Sequence, residues 1–318
     1  MSVMTRVRLD EVRDRTRELE ETTRMLGIRT EQLLTLQREN VRQRDNVDGL
    51  RAFLRPDALL PRIEQAIAAA ELHTDPFPYC VVLDWLPPAL YDTLLRGIPG
   101  PVFFADRLAH KQQIHVPPGI ATDFSRQVWE FVAHDVVTGA VGPAVWTKFE
   151  AHLDAYIRSL IPGAPDWRPY VAMHASDGRL MLRRPGYVIA PHRDPGWGFL
   201  TCLAYLARPG DNTEWGTQLY RVREDDRAPD ETAYYVPGER CELVKSIPFR
   251  RNTMLVFLNG SGAHGASIPA DAQPAGLERY LYQFRLGPTP SGIKWLLEHM
   301  PAEKRPRWAG LKTTRAGD

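Results

Sequence analysis

The sequence predicts a mainly β chain with flanking helices, an α+β fold whose core is a sandwich, jelly roll or barrel, preceded by a long N-terminal helix. Two observations predict it. From about residue 168 to 287, short β-like runs recur between Gly, Pro, Asp and Asn, and even spacing of short strands marks these folds. The first 55 or so residues are instead rich in Arg, Glu, Gln and Leu, with no proline before Pro56 and only Gly27 and Gly49 as glycines.

In the N-terminal segment one register alternates three and four: Leu9, Val12, Thr16, Leu19, Thr23, Leu26, Thr30, Leu33. That is a heptad-like seam. It weakens at Gln37, Asn40 and Arg44, and its threonines make a poor core, so a short, marginal coiled coil is expected, against the alternative of one helix packing back on its own domain. A helix of this length extends about 80 Å at 1.5 Å per residue. Pro56 and Pro61 punctuate its end, and a short helix is expected over 63–72. The run Tyr79–Leu86, bracketed by prolines, reads as a strand, and Ala89–Arg96 as a helix start. Residues 121–160 read as helical from Phe124, Val128, Phe131 and Val132, then Phe149, Leu153, Ile157 and Leu160. The later strands are expected at Leu180–Leu182, Tyr187–Ala190, Leu200–Leu206, Thr217–Val222, Met254–Leu258 and Tyr280–Leu286. The divisions expected are 1–55 for the helix, 56–302 for the globular domain and 303–318 for a basic, fraying tail.

Composition narrows the function classes. With 43% hydrophobic and 25% charged residues and a net charge of +1 over 318 residues, the chain can bury a core and is not disordered throughout. The neutral balance gives no push towards nucleic acid, and no apolar run is long enough for a membrane span. Arg6, Arg8, Asp10 and Glu11 interrupt any leader-like stretch. Cys80, Cys202 and Cys241 are far apart and odd in number, forming neither a disulfide framework nor a metal pair, so a reducing cytoplasm is the expected compartment.

Of the nine histidines, most have no partner at a useful spacing. His192 differs, because on an extended chain His192 and Asp194 project to one side at the end of an apolar strand. His264, on a glycine turn after the strand Met254–Leu258, is the best third ligand. Together they make a 2-His-1-carboxylate set, which holds non-haem Fe(II) with coordination positions open. Further on, Arg279, Leu281, Gln283 and Arg285 share one face of a strand, and that face points inward if Tyr280, Tyr282 and Phe284 pack under a helix. An inward cation is costly without an anion to meet, and arginine suits a carboxylate because its planar fork binds both oxygens.

Over about residues 76 to 287 the chain resembles the Fe(II)/2-oxoglutarate-dependent dioxygenases, in particular their prolyl-hydroxylase-like branch. His192-x-Asp194 and His264 match that family's iron ligands, and Arg279-Tyr280 matches its anchor for the 2-oxoglutarate tail. The strand Thr201–Leu206 is similar to the one after HxD, so Tyr205 is expected to share the anchoring. Trp215–Tyr220 sits where the family has Gly-Gly-x-Leu, Arg251–Phe257 resembles its Asn-x-Leu-x-x-Phe strand, and Pro76–Pro88 resembles its entry strand and helix. The resemblance implies a double-stranded β-helix (cupin-like) core, with Fe(II) as cofactor and 2-oxoglutarate and O2 as cosubstrates. It further implies hydroxylation of an unactivated C–H with release of succinate and CO2. Asp194 favours this outcome, because halogenating relatives lack the carboxylate. Two departures stand out. An inserted loop with Pro269, Pro274 and Gly276 lengthens the gap from His264 to Arg279, which makes Arg285 a rival anchor, and Trp-Gly-Thr replaces Gly-Gly.

The substrate, small-molecule or peptidyl, is expected to meet Arg183, Arg184, Trp197, Trp215 and Gln283 near the pocket mouth, along with Arg285. The residues 1–55 are outside the shared core and suggest a homodimer or a helical partner. Two other readings stay open: an oxygenase-like binding module assembled through its helix, and a cupin-type metalloenzyme that does not use 2-oxoglutarate.

Overall fold

The computed structural model describes residues 3–104, 111–223, 234–260, 262–274 and 276–305; the expected tail lies almost wholly outside them. Helix α1 (Val3–Phe53) is continuous. Residues 12–24 are exposed, while its C-terminal part docks through buried Leu50, through the Gln32 amide donating to the Val102 carbonyl at 3.2 Å and through Asn40, which accepts from the Asp123 amide at 3.0 Å. Helix α2 (Pro56–Ala69) begins on Pro56, in the first turn, where a missing N–H costs nothing, so the proline that was expected to end one helix starts the next.

A two-residue strand β1 (Leu72–His73) and β2 (Tyr79–Leu83) lead into α3 (Pro88–Arg96), again opened by proline. Strand β3 (Lys111–His115) follows. Helix α4 (Asp123–Phe131), N-capped by Thr122, whose hydroxyl accepts from the Ser125 amide at 3.2 Å, runs into a wide π-helical stretch, Val132–Val141. Helix α5 (Gly142–Leu160) continues it, burying Val145, Phe149, Leu153 and Ile157 along one stripe. The region read as helical over 121–160 is therefore helical from Asp123 to Leu160, although the pitch changes within it.

Eight strands form the core: β4 (Met173–Arg183), β5 (Val188–His192), β6 (Leu200–Tyr205), β7 (Thr217–Val222), β8 (Cys241–Ile247), β9 (Thr253–Leu258), β10 (Ala263–Ser267) and β11 (Arg279–Pro288). Helix α6 (Pro290–His299) and a 3-10 turn, Ala302–Lys304, follow the last strand. All strand pairing is antiparallel, in sheets ordered β1-β2-β9-β6-β11-β4-β3 and β5-β10-β7-β8. Counting core strands from β4, the two sheets run first-eighth-third-sixth and second-seventh-fourth-fifth. This is the order of a jelly roll wound as a double-stranded β-helix.

Alternation along the strands separates two cores. Tyr280, Tyr282, Phe284 and Leu286 of β11, with Met254, Val256 and Leu258 of β9, pack under the helices. Leu281, Leu255, Phe257, Leu203 and Tyr205 fill the space between the sheets. Arg279, Gln283 and Arg285 thus share the inward face with Leu281. Four strands were not anticipated: β1, β3, β8 and β10. Accordingly, His264 sits within β10 and not on a glycine turn. The three cysteines are free thiols. Among the described residues no helix is long and apolar enough to cross a membrane.

Candidate metal centre

Strand β5 delivers His192 at its end, and β10 lies beside it with His264 directly opposite His192. The pairing brings the imidazole centroids to 4.1 Å. A bulge between His264 and Ala266 interrupts the ladder here, a device that re-aims a side chain beside a site. Asp194 completes the group, with His192 Nε2 4.0 Å from its Oδ1 and His264 Nε2 4.0 Å from its Oδ2. All three side chains are buried, and one donor atom from each lies within 4.8 Å of the others.

The protonation states suit a ligand set. His192 Nδ1 is 2.9 Å from the Ala190 carbonyl, which can only accept, so Nδ1 carries the proton and Nε2 offers a lone pair. Burial lowers the His192 pKa, and it lowers that of His264 to about 3, with His192 adding to the effect. Burial alone would raise the Asp194 carboxyl, yet Arg285, His264, His192 and the Thr201 hydroxyl together hold it well below the carboxylate range. At neutral pH the centre is two neutral imidazoles and one carboxylate, which fits a ferrous ion with open positions.

Asp194 is held on both oxygens. Arg285 Nη2 donates to Oδ1 at 2.9 Å, and the Thr201 hydroxyl donates to Oδ2 at 2.6 Å. Asn259 Nδ2 in turn donates to Thr201 Oγ1 at 2.9 Å and also to the Gly198 carbonyl. Such partners fix a ligand's orientation.

The cavity beside the three donors is lined by Lys111, Arg179, Arg183 and Arg285, with Gln283, Thr217 and Tyr187 among its other walls. Of the residues expected at the site, the structure brings Arg183, Gln283 and Arg285 here. Arg279 and Tyr205 stand outside the lining, and both pack against Phe249. Arg279 is buried, with Nη1 3.6 Å from Asp211 Oδ2 and Nη2 bonded to Asn212 Oδ1. Tyr205, its pKa raised to about 12 by burial, donates to Thr217 Oγ1 at 2.7 Å and so reaches the cavity only through that threonine. Arg184 is away from the cavity, bound to Gln112 at 2.6 Å and to Glu278 at 2.8 Å, a partner that Arg208 shares. Trp197 is a half-buried ring 5.6 Å from the Arg285 guanidinium, and Trp215 packs 5.9 Å from that of Arg279, outside the cavity.

Thr201, Asn259, Tyr187, Tyr234, Lys111 and Arg179 are the residues sequence reasoning missed. Tyr234 stacks on His192 with centroids 4.8 Å apart. One signal was available, since Arg179, Met181 and Arg183 alternate along β4 as the basic residues of β11 do.

No protein-family model and no curated protein sequence matches the chain. Among solved structures it is similar to a Trichoplax adhaerens prolyl hydroxylase in complex with a hypoxia inducible factor peptide fragment, at 11% identity over 71% of this chain and 89% of that one, TM-score 0.38. It is also similar to a Pseudomonas putida prolyl-4-hydroxylase at 15% identity, over 71% of this chain and 98% of that one, TM-score 0.36. A third similarity is to HygX from Streptomyces hygroscopicus with nickel, 2-oxoglutarate and hygromycin B bound, at 14% identity over 67% and 83%, TM-score 0.36. Overlaps this loose carry no argument about chemistry. The double-stranded β-helix implied by the sequence resemblance is the fold of this chain on the strength of its own strand order.

Proposed function

We propose that this chain is an Fe(II)- and 2-oxoglutarate-dependent dioxygenase that hydroxylates an unactivated C–H of a small-molecule or peptidyl substrate. The observation that carries the reading is the convergence of His192, Asp194 and His264, all buried, on the wall of a cation-lined cavity. Three protein donors on one face of an ion leave its other positions open. Ferrous iron, when bound with 2-oxoglutarate, supplies the redox chemistry, in which O2 converts the keto acid to succinate and CO2 and one oxygen atom enters the C–H bond.

The chain's own residues hold and orient. His192 is kept in one tautomer by the Ala190 carbonyl, and Thr201 and Arg285 keep the Asp194 carboxylate facing the two imidazoles. Phe257 packs 4.6 Å from His264, and the Tyr234 ring lies 4.8 Å from that of His192 on the cavity wall, so both imidazoles are flanked by aromatic rings. The basic lining suits the acidic cosubstrate. Of the two arginines expected at its tail, Arg279 already faces Asp211, and Arg285 faces Asp194.

The test is an anaerobic visible spectrum. Fe(II) and then 2-oxoglutarate are added to metal-free protein, with the His264→Ala variant alongside. A charge-transfer band that needs both additions and is lost in His264→Ala supports the reading. A folded wild-type protein that gives no band removes it and leaves a metal site without 2-oxoglutarate, or a binding module.

A further inference from the structure

Strand register places three cations on one rung of the larger sheet. Arg183 of β4 pairs with Lys111 of β3 on one side and with Arg279 of β11 on the other. Directly paired residues of antiparallel strands project from the same face, so three like charges stand side by side, and like charges in register are destabilising unless an anion meets them. Arg279 has its anion in Asp211. Lys111 and Arg183 both approach the ring of Tyr187, at 6.0 and 4.6 Å from its centroid, on the cavity side.

Arg279 keeps two buried donors, Nε and Nη1, without a hydrogen bond, but it has a carboxylate at 3.6 Å, and Arg183 does not. Arg183 is 9% exposed. Its Nε is buried without a hydrogen-bond partner, and its Nη2 has only the Met181 sulfur at 3.9 Å. No carboxylate of the described residues pairs with it. The Tyr187 hydroxyl, fully buried, has no partner either. Two buried donors left unmade in one cavity call for an oxygen-rich acceptor, and a guanidinium calls for an anionic one. The sulfur and the ring supply packing but no negative charge.

We infer that Arg183, with the Tyr187 hydroxyl beside it, is the seat of the distal carboxylate of 2-oxoglutarate, in place of Arg279. The inference rests on the proposed function, because it takes a diacid whose keto-acid end lies at His192, Asp194 and His264. Arg183 lines the same cavity as those donors, whereas Arg279 does not. The anchoring cation therefore comes from the first core strand, and Arg279 serves the fold by closing the barrel floor against Asp211, Asn212 and Phe249.

The experiment is a calorimetric titration of the full-length protein loaded with Ni(II), which does not turn over, with no primary substrate present. Two ligands are compared: 2-oxoglutarate, and 2-oxopentanoate, which keeps the keto acid and lacks the distal carboxylate. Wild type is expected to prefer the diacid by about 30-fold or more, the scale of a buried charge-assisted pair. Arg183→Gln is expected to bring the preference within about 3-fold, Tyr187→Phe to reduce it in part, and Arg279→Gln to retain it. Preference kept in Arg183→Gln, or lost in Arg279→Gln alone, overturns the assignment while the dioxygenase reading stands. So does a wild type that binds both acids equally. A metal-loaded wild type that binds neither acid removes the reading and the assignment together. Should Arg183→Gln not fold, a crystal structure of the wild-type Ni(II)/2-oxoglutarate complex decides, since the carboxylate must lie within hydrogen-bond distance of the Arg183 guanidinium, and a carboxylate on Arg279 refutes the assignment.

Discussion

Arg285, on β11 of the larger sheet, donates to Asp194 Oδ1 at 2.9 Å across the barrel. Both side chains are buried, so in the metal-free protein this guanidinium is the counter-ion of a carboxylate that has lost its water. Removing one partner of such a pair costs about 3–5 kcal/mol, because the other is left buried and uncompensated. A bound divalent cation would take over that compensation.

Arg285→Met should therefore lower the melting temperature of metal-free protein. Added Mn(II) should raise the variant's melting temperature by more than it raises that of wild type, since the ion restores the missing positive charge. Differential scanning fluorimetry on both proteins, with and without Mn(II), makes the comparison. Equal increments would show that Arg285 is not the carboxylate's counter-ion.

The Thr201 hydroxyl supports the opposite oxygen. It donates to Asp194 Oδ2 at 2.6 Å and accepts from Asn259 Nδ2 at 2.9 Å. Thr201→Val keeps the shape and removes both bonds, so metal affinity should fall about 10-fold, in the range seen when a ligand's outer partner is lost. Competition against a fluorescent chelator reads the affinity. Thr201→Ser, which retains the hydroxyl, should stay near wild type, and an equal loss in both variants would point to packing instead.

The metal donors were legible in the sequence because two of them are local. His192 and Asp194 need only the two-residue period of a strand, and His264 follows an apolar run by a short interval. The inward face of β11 was legible for the same reason, since Tyr280, Tyr282 and Phe284 declare the opposite face by alternation. What escaped was long-range register. Nothing near Lys111 says that it pairs with Arg183, and nothing near Arg183 says that it pairs with Arg279. Polar strands such as Lys111–His115 and Cys241–Ile247 escaped because they sit at sheet edges and show little apolar alternation. Arg279 was legible as an inward cation because its own strand is well marked, but its Asp211 and Asn212 partners lie in a loop whose path the sequence does not reveal.

Asn252 offers a stability test away from the metal donors. It is buried in the left-handed conformation, φ 51°, and clasps the backbone of Leu86, accepting from its N–H at 3.1 Å and donating to its carbonyl at 2.8 Å. Asparagine tolerates this conformation better than most residues. Asn252→Ala loses both bonds and leaves two buried backbone groups unpaired, at a cost of about 2–4 kcal/mol. Urea unfolding should show the lower midpoint, with metal affinity of the folded protein unchanged. A midpoint within error of wild type would mean that water replaces the side chain.

The seam of α1 gives the last prediction. Val12, Leu19, Leu26 and Leu33 recur every seven residues and are between 61% and 67% exposed, while the helix is tied to the domain from the seam's last turn onward, at Gln32, Asn40 and Leu50. The seam threonines looked like poor core residues. Thr16 and Thr30 nevertheless donate to the Val12 and Leu26 carbonyls of their own helix, at 2.8 and 2.9 Å. Their hydroxyls are thus satisfied internally, and the methyl groups are left for a neighbour. In a parallel pair with a second copy of this chain, Arg15 at a g position of one helix would meet Glu20 at an e position of the other. We expect the full-length protein to dimerise in a concentration-dependent way, and the triple variant Leu19→Glu/Leu26→Glu/Leu33→Glu to be monomeric with its metal site intact. Charges on the seam repel between copies and leave the contacts near Leu50 untouched, so a change in fold is not an alternative explanation when metal affinity is preserved. Light scattering coupled to size exclusion reads the mass directly. The same mass for the variant and wild type would remove self-association through α1.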